Sequence, residues 1–146
     1  MAKIPDRLYI DEKDRVLYER IEGTGMFKGK TRKEQFLFAL GLGFNNRLRR
    51  PLGKREGFFL TKDMRSEDEA LLNAVAAYDA ESLQVLSNKS EVFKIAEEYA
   101  HAGIRLLVAK IEGTQYGSFE KHLEKELQEM YKEIVPERDD EESPPS

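Results

Sequence analysis

The residues of this chain best equipped for chemistry are cations beside a helix start. In Gly29-Lys30-Thr31-Arg32-Lys33-Glu34-Gln35-Phe36-Leu37, Thr31 and Glu34 form a capping box. The Thr hydroxyl accepts the N–H three residues on, and the Glu side chain reaches back to the N–H of the cap. A helix N-terminus presents unpaired N–H groups and about half a positive charge, so it can receive a phosphate. Arg32 and Lys33 occupy the first turn, where the dipole favours acids, and this points to an anionic ligand. The alternative reading is two ordinary solvated side chains, since a capping box by itself specifies a helix and no ligand.

The cations continue downstream. Between Met26 and Arg55 stand nine (Lys28, Lys30, Arg32, Lys33, Arg47, Arg49, Arg50, Lys54, Arg55) against the single acid Glu34, a local balance of +8 in a chain of net charge −4. From Thr61 onward the balance is −10. A concentrated basic stretch is the usual footprint of a polyanion site, because neutralised phosphates release counterions. It could instead dock on the acidic half of its own chain or on an acidic partner protein. Phe58 and Phe59 lie beside the cations and could stack on unpaired bases. Core anchoring is the commoner role for such a pair.

Other chemistry finds little support. No P-loop, G-x-S-x-G, H-E-x-x-H or dinucleotide fingerprint occurs, and Gly41-Leu42-Gly43 falls at a helix end, the wrong context for a phosphate loop. Glu97 with His101, and His122 with Glu126, have i,i+4 spacing, which reads first as surface pairing and only second as half of a bundle metal site. The acids are spread along helix surfaces rather than gathered for Mg²⁺. The expectation is a protein without catalytic residues, metal or cofactor. Cysteine is absent, which excludes disulfides and suits a reducing cytoplasm. The start, Met1 to Asp6, lacks the apolar core of a signal peptide, and the apolar run Phe36 to Phe44 is far too short to span a bilayer. A cytoplasmic protein with no membrane contact is expected.

The elements that must position these groups read as follows. Arg7-Leu8-Tyr9-Ile10-Asp11 alternates polar and apolar as a short strand does. Asp11-Glu12-Lys13-Asp14 opens a helix through Val16, Leu17, Tyr18 and Ile21 that Gly23 and Gly25 close. A second helix runs from Thr31 to about Leu42, with Gly43 suited to the left-handed position that ends it. Asn45 to Phe59 reads as loop, Pro51 blocking any helix beyond Arg50, and Phe58-Phe59 leads through Leu60 into a short extended or core-anchoring segment.

Beyond Thr61 the chain turns helical. Ser66-Glu67-Asp68-Glu69 is a second capping box, opening a helix with Leu71, Leu72, Val75 and Ala76 on one face. Ser82 to Leu86 suits a short helical turn. Ser90 caps a long helix to Gly113, within which Gly103 allows a close helix crossing. Ser118 starts a last helix with the stripe Phe119, Leu123, Leu127, Met130 and Ile134, which buries against another helix in this chain or another. The tail from Pro136 is too acidic and apolar-poor to fold alone. Three parts follow: a basic strand-helix-helix part over 1–60, a helical part over 61–135 and an acidic tail over 136–146, with 1–135 forming a single compact, mainly α domain.

Two resemblances add to this reading. The strand-helix-turn-helix order and the Gly-x-Thr-Arg-x-Glu start at Gly29 resemble the ribbon-helix-helix DNA-binding proteins, although the turn from Gly23 to Lys30 is longer than theirs. In that family strands from two protomers pair into a ribbon that enters the major groove, and the second helix anchors a phosphate. The resemblance implies a homodimer in which Arg7 and Tyr9 face the bases while Thr31 and Arg32 hold phosphate. Lys30, Lys33, Arg47, Arg49, Arg50, Lys54 and Arg55 complete the expected duplex contact. More widely, Phe36-Leu37-Phe38-Ala39-Leu40-Gly41-Leu42-Gly43-Phe44, Arg50-Pro51-Leu52-Gly53-Lys54, Asp68-Glu69-Ala70-Leu71 and Ile95 to Ile104 come in an order similar to the small accessory proteins of DNA phosphorothioation (Dnd) modification and restriction systems. That similarity covers roughly Leu8 to Glu112. It implies a role in defence against foreign DNA, either as a DNA-binding or regulatory accessory or as an adaptor that assembles a defence complex.

Overall fold

The computed structural model describes residues 4–113 and 125–132. It is mainly helical, with one small sheet. Strand β1 (Arg7–Asp11) passes through a 3₁₀ turn (Glu12–Asp14) into α1 (Arg15–Glu22), and α2 (Arg32–Asn45) follows. Strand β2 (Arg55–Leu60), α3 (Ser66–Ala80), a 3₁₀ turn (Leu83–Ser87) and α4 (Lys89–Gly113) come next, and residues 125–132 form a further helix, α5. None of the described helices is long and apolar enough to cross a membrane.

The sheet departs from the expected layout. Arg55 to Leu60 is a strand, not a loop, and it pairs antiparallel with β1 of the same chain, Arg7 opposite Leu60 and Asp11 opposite Arg55. The ribbon here is therefore made within one chain, whereas the ribbon-helix-helix resemblance draws it from two protomers. The register slips between Leu8, opposite Phe59, and Tyr9, opposite Gly57, so Phe58 is an extra residue in β2. The slip lets two consecutive aromatics face the core. Phe58 packs on Tyr18 with ring centroids 4.5 Å apart, and Phe59 packs edge-on against Phe36 at 5.3 Å. Both rings are buried, so they are core anchors.

The core is organised by a close crossing of α2 and α4. A Cβ on Gly103 would lie 1.7 Å from the Ala39 carbonyl oxygen, and one on Gly43 would lie 2.0 Å from that of Tyr99. Only glycine admits backbones this near each other. Gly103 thus does what its place in the sequence suggested. Gly43 does not end α2, which continues to Asn45; it is the other half of the crossing. The left-handed residue is Arg47, with φ 53°. Its N–H bonds the Phe44 carbonyl while Leu48 N–H bonds that of Gly43, a Schellman closure in which an arginine takes glycine's usual place.

The helix starts agree with the sequence at α2 and shift by one or two residues elsewhere. At α2 both halves of the capping box form: Glu34 N–H donates to the Thr31 hydroxyl at 3.2 Å and Thr31 N–H to the Glu34 carboxylate at 2.9 Å. At α3 the reciprocal bond runs from Arg65 N–H to Asp68, making Ser66 the first helical residue instead of the cap. At α4 the Asn88 side chain, not Ser90, receives the N–H of Glu91. On α5, Leu127 and Met130 lie over Gly41 of α2, so this part of the last stripe buries within the chain. Ser118, Phe119, Leu123, Ile134 and the tail lie outside the described residues.

Candidate nucleic-acid interface

Five of the eleven residues expected to meet DNA pair with carboxylates of their own chain. Lys33, in the first turn of α2, is largely covered and forms an ion pair with Asp68 of α3 at 2.9 Å. Arg49 lies between α3 and α4, bonding Glu98 at 2.7 Å and Asp79 at 2.5 Å. Arg55 of β2 donates to Glu97 of α4 at 2.8 Å, and its guanidinium lies over the Tyr9 ring at 4.2 Å. Lys54 faces Glu12, and Arg7 pairs with its neighbour Asp6. Each pair links an element of the basic half to a carboxylate of this chain.

Two more arginines lie back on aromatic surface. Arg32 donates to the Phe58 carbonyl and covers the Phe58 ring at 5.1 Å. Arg47 packs over Phe44 at 4.2 Å and Tyr78 at 4.6 Å while bonding the Phe44 carbonyl. Their charged heads are attracted to the negative ring faces. Thr31 is committed to its capping box. The Glu34 carboxylate at the same end has its pKa lowered, chiefly by the Thr31 N–H bond. An incoming phosphate would meet that negative charge. Lys30 and Arg50 are exposed, as is Lys28.

A polar stripe that sequence reading did not connect runs along α4. Glu97, His101 and Arg105 follow one another at i,i+4 intervals on one helix face, and that face meets β1 and the turn after it. Glu97 does not pair with His101, as the spacing suggested. It accepts the Tyr9 N–H at 2.9 Å and the Arg55 guanidinium, and its side chain is 2% exposed. Burial pushes its carboxyl up to about 7. His101 turns to the buried Asp14, with Nδ1 2.5 Å from its carboxylate, and Arg105 reaches the same carboxylate at 2.8 Å. Burial raises the Asp14 pKa, although His101 and Arg105 oppose it.

Asp11 completes the stripe. Burial by itself would raise its pKa, but the N–H groups of Gly53 and Lys13, together with the charges of His101 and Lys13, hold it below the usual value. The Gly53 bond, at 2.7 Å, ties the loop between α2 and β2 to β1. The recurrence of three polar side chains at four-residue spacing, on a helix otherwise rich in Val, Ile, Ala and Leu, was the available signal for this network. Among the described residues, no group of three or more His, Asp or Glu side chains is arranged to hold a metal ion. His122 lies outside them, and its intended neighbour Glu126 pairs with Lys110 at 3.1 Å.

An open groove of about 1030 Å³ lies beside this network, between the segment leading into β1, the loop before β2 and the first half of α4. Tyr9, Arg55 and Glu97 form part of its wall, with Pro51, Leu52 and Phe93 as apolar surface. Together these features define a small helical protein in which several charged groups tie its own elements to one another. The chain belongs to the family of DNA sulphur modification system-associated protein 4, whose model matches residues 11–143. The match reaches beyond the Leu8 to Glu112 similarity read from the sequence and takes in the last helix and most of the acidic tail. It gives the chain an accessory role beside a DNA sulphur modification system. No curated protein and no solved structure matches the chain.

Proposed function

We propose that the chain is a non-enzymatic adaptor of a DNA sulphur modification system, one that binds a protein of that system instead of gripping duplex DNA through its basic segment. The observation that carries this reading is the pairing of four of that segment's nine cations within the chain. Lys33, Arg49, Lys54 and Arg55 each face a carboxylate of their own chain. DNA affinity comes largely from cations that replace condensed counterions along the phosphates. A cation already held by a carboxylate must first lose that partner.

Exposed side chains near the end of α2 suit a protein partner. Tyr78 is 51% exposed with Arg47 stacked on it, and Leu48, next in the chain to Arg47, is 44% exposed. Tyrosine and arginine are enriched among the residues that dominate protein interfaces. Co-expression with the proteins of the sulphur modification system, nuclease treatment and size-exclusion chromatography test the proposal. The expected result is co-elution that survives nuclease and weakens when Tyr78→Ser and Leu48→Ser are combined. Association that vanishes with nuclease would contradict it.

A second reading, direct DNA contact in defence, draws on the exposed Lys28, Lys30 and Arg50. It calls for retention of duplex DNA by the purified chain that falls when these three are made alanine.

A further inference from the structure

Glu97 is almost fully buried although it belongs to the wall of an open groove. Each of its carboxylate oxygens has one donor: the backbone N–H of Tyr9 at 2.9 Å and the guanidinium of Arg55 at 2.8 Å. The two donors are held very differently. The Tyr9 N–H is fixed in β1, whereas Arg55 is 52% exposed, reaches Glu97 at the end of a long side chain and has, besides that bond, the weaker attraction of the Tyr9 ring face at 4.2 Å. The other charged groups lining the groove are Glu91, Lys94 and Glu98 of α4 and Asp6 before β1. Glu98 is occupied by Arg49, and Asp6 by Arg7.

We propose that Glu97 is a protonation-controlled tie on Arg55. Ionised, it pins the guanidinium against β1 and α4; protonated, it keeps the Tyr9 bond and releases Arg55 into the groove as an accessible cation. The reason is hydrogen-bond inventory. An ionised carboxylate accepts at both oxygens, while a carboxylic acid carries a hydrogen on one of them. That hydrogen would face the donors of Arg55, so the bond that cannot move keeps the acceptor and the flexible one is lost. Burial of Glu97, which lifts its carboxyl to about 7, puts the change in the neutral range.

The test is an NMR titration of the full chain from about pH 5 to about pH 9, following the Tyr9 amide and the Arg55 guanidinium signals. Both should titrate together with a midpoint of about 7, and Arg55 should exchange faster with water on the acid side. Glu97→Gln should flatten the Tyr9 curve and leave Arg55 in its fast-exchanging state throughout. Arg55→Ala removes the cation that favours the carboxylate, so the Tyr9 midpoint should move upward. That variant decides the matter if Glu97→Gln does not fold. Flat signals in the unsubstituted chain, an unchanged titration in Glu97→Gln, or an unmoved midpoint in Arg55→Ala would overturn the proposal.

Discussion

Asp14 and Glu97 show how a single buried carboxylate can hold two elements together. The Asp14 side chain is 1% exposed and joins the turn before α1 to His101 and Arg105 of α4. Removing one partner of a buried ion pair leaves the other desolvated and uncompensated. Asp14→Ala should therefore destabilise the fold by about 3 kcal/mol or more in denaturant unfolding at neutral pH. Glu97 makes a different prediction because its carboxyl rises from 4.5 to about 7 on folding. A carboxyl with a raised folded pKa contributes stability that is present below the unfolded value and lost as pH rises through the folded one. For a group this buried the full effect is about 3 kcal/mol. Glu97→Gln should accordingly reduce the fall in stability between about pH 5 and about pH 7 in thermal or chemical melts. Asp14, also raised, contributes a fall of the same sign, whereas the lowered Asp11 changes stability only below its ordinary carboxylate range and adds no slope here, so the comparison is of slopes between variant and parent.

At the scale of elements, the crossing of α2 and α4 makes the sharpest claim. Gly103→Ala would push a methyl into the Ala39 carbonyl, where the obstacle is backbone and cannot rotate away. The expected cost is about 3 kcal/mol, at the upper end for overpacking, read as a lowered unfolding midpoint. Gly113→Ala at the other end of α4 meets nothing within 4 Å and should be neutral or gain up to about 1 kcal/mol. Thr31→Ala should cost about 1 kcal/mol through loss of the α2 cap. The helices were legible because apolar spacing and caps are local signals. Gly43 was misplaced because a glycine near a helix end looks the same whether it turns the chain or lets a neighbour approach. β2 was hidden for a related reason: cations fill its approach, and the extra Phe58 breaks the alternation that marks a strand.

At the scale of the molecule, the division into a basic and an acidic half takes on a new meaning. Sequence alone allowed the +8 stretch to serve DNA, an acidic partner or the chain's own acidic half. In the fold, Lys33, Arg49 and Arg55 meet carboxylates of α3 and α4, so part of that charge closes the molecule on itself. The candidate site was legible only as composition. Pairing is a property of three-dimensional neighbours, and Asp68, Asp79, Glu97 and Glu98 lie thirty or more residues away from the cations they meet. Family membership supplies the setting, a DNA sulphur modification system, and the internal pairing favours an adaptor within it.

The salt dependence of binding to plain and phosphorothioated duplex DNA tests this most directly. If the paired cations stay with their carboxylates, any binding rests on the exposed Lys28, Lys30 and Arg50 and should follow a log–log slope no steeper than about −3, alike for both duplexes. A slope of about −5 or steeper, relaxed by combining Lys33→Ala with Arg55→Ala, would mean that the phosphates win those cations, and it would contradict the account.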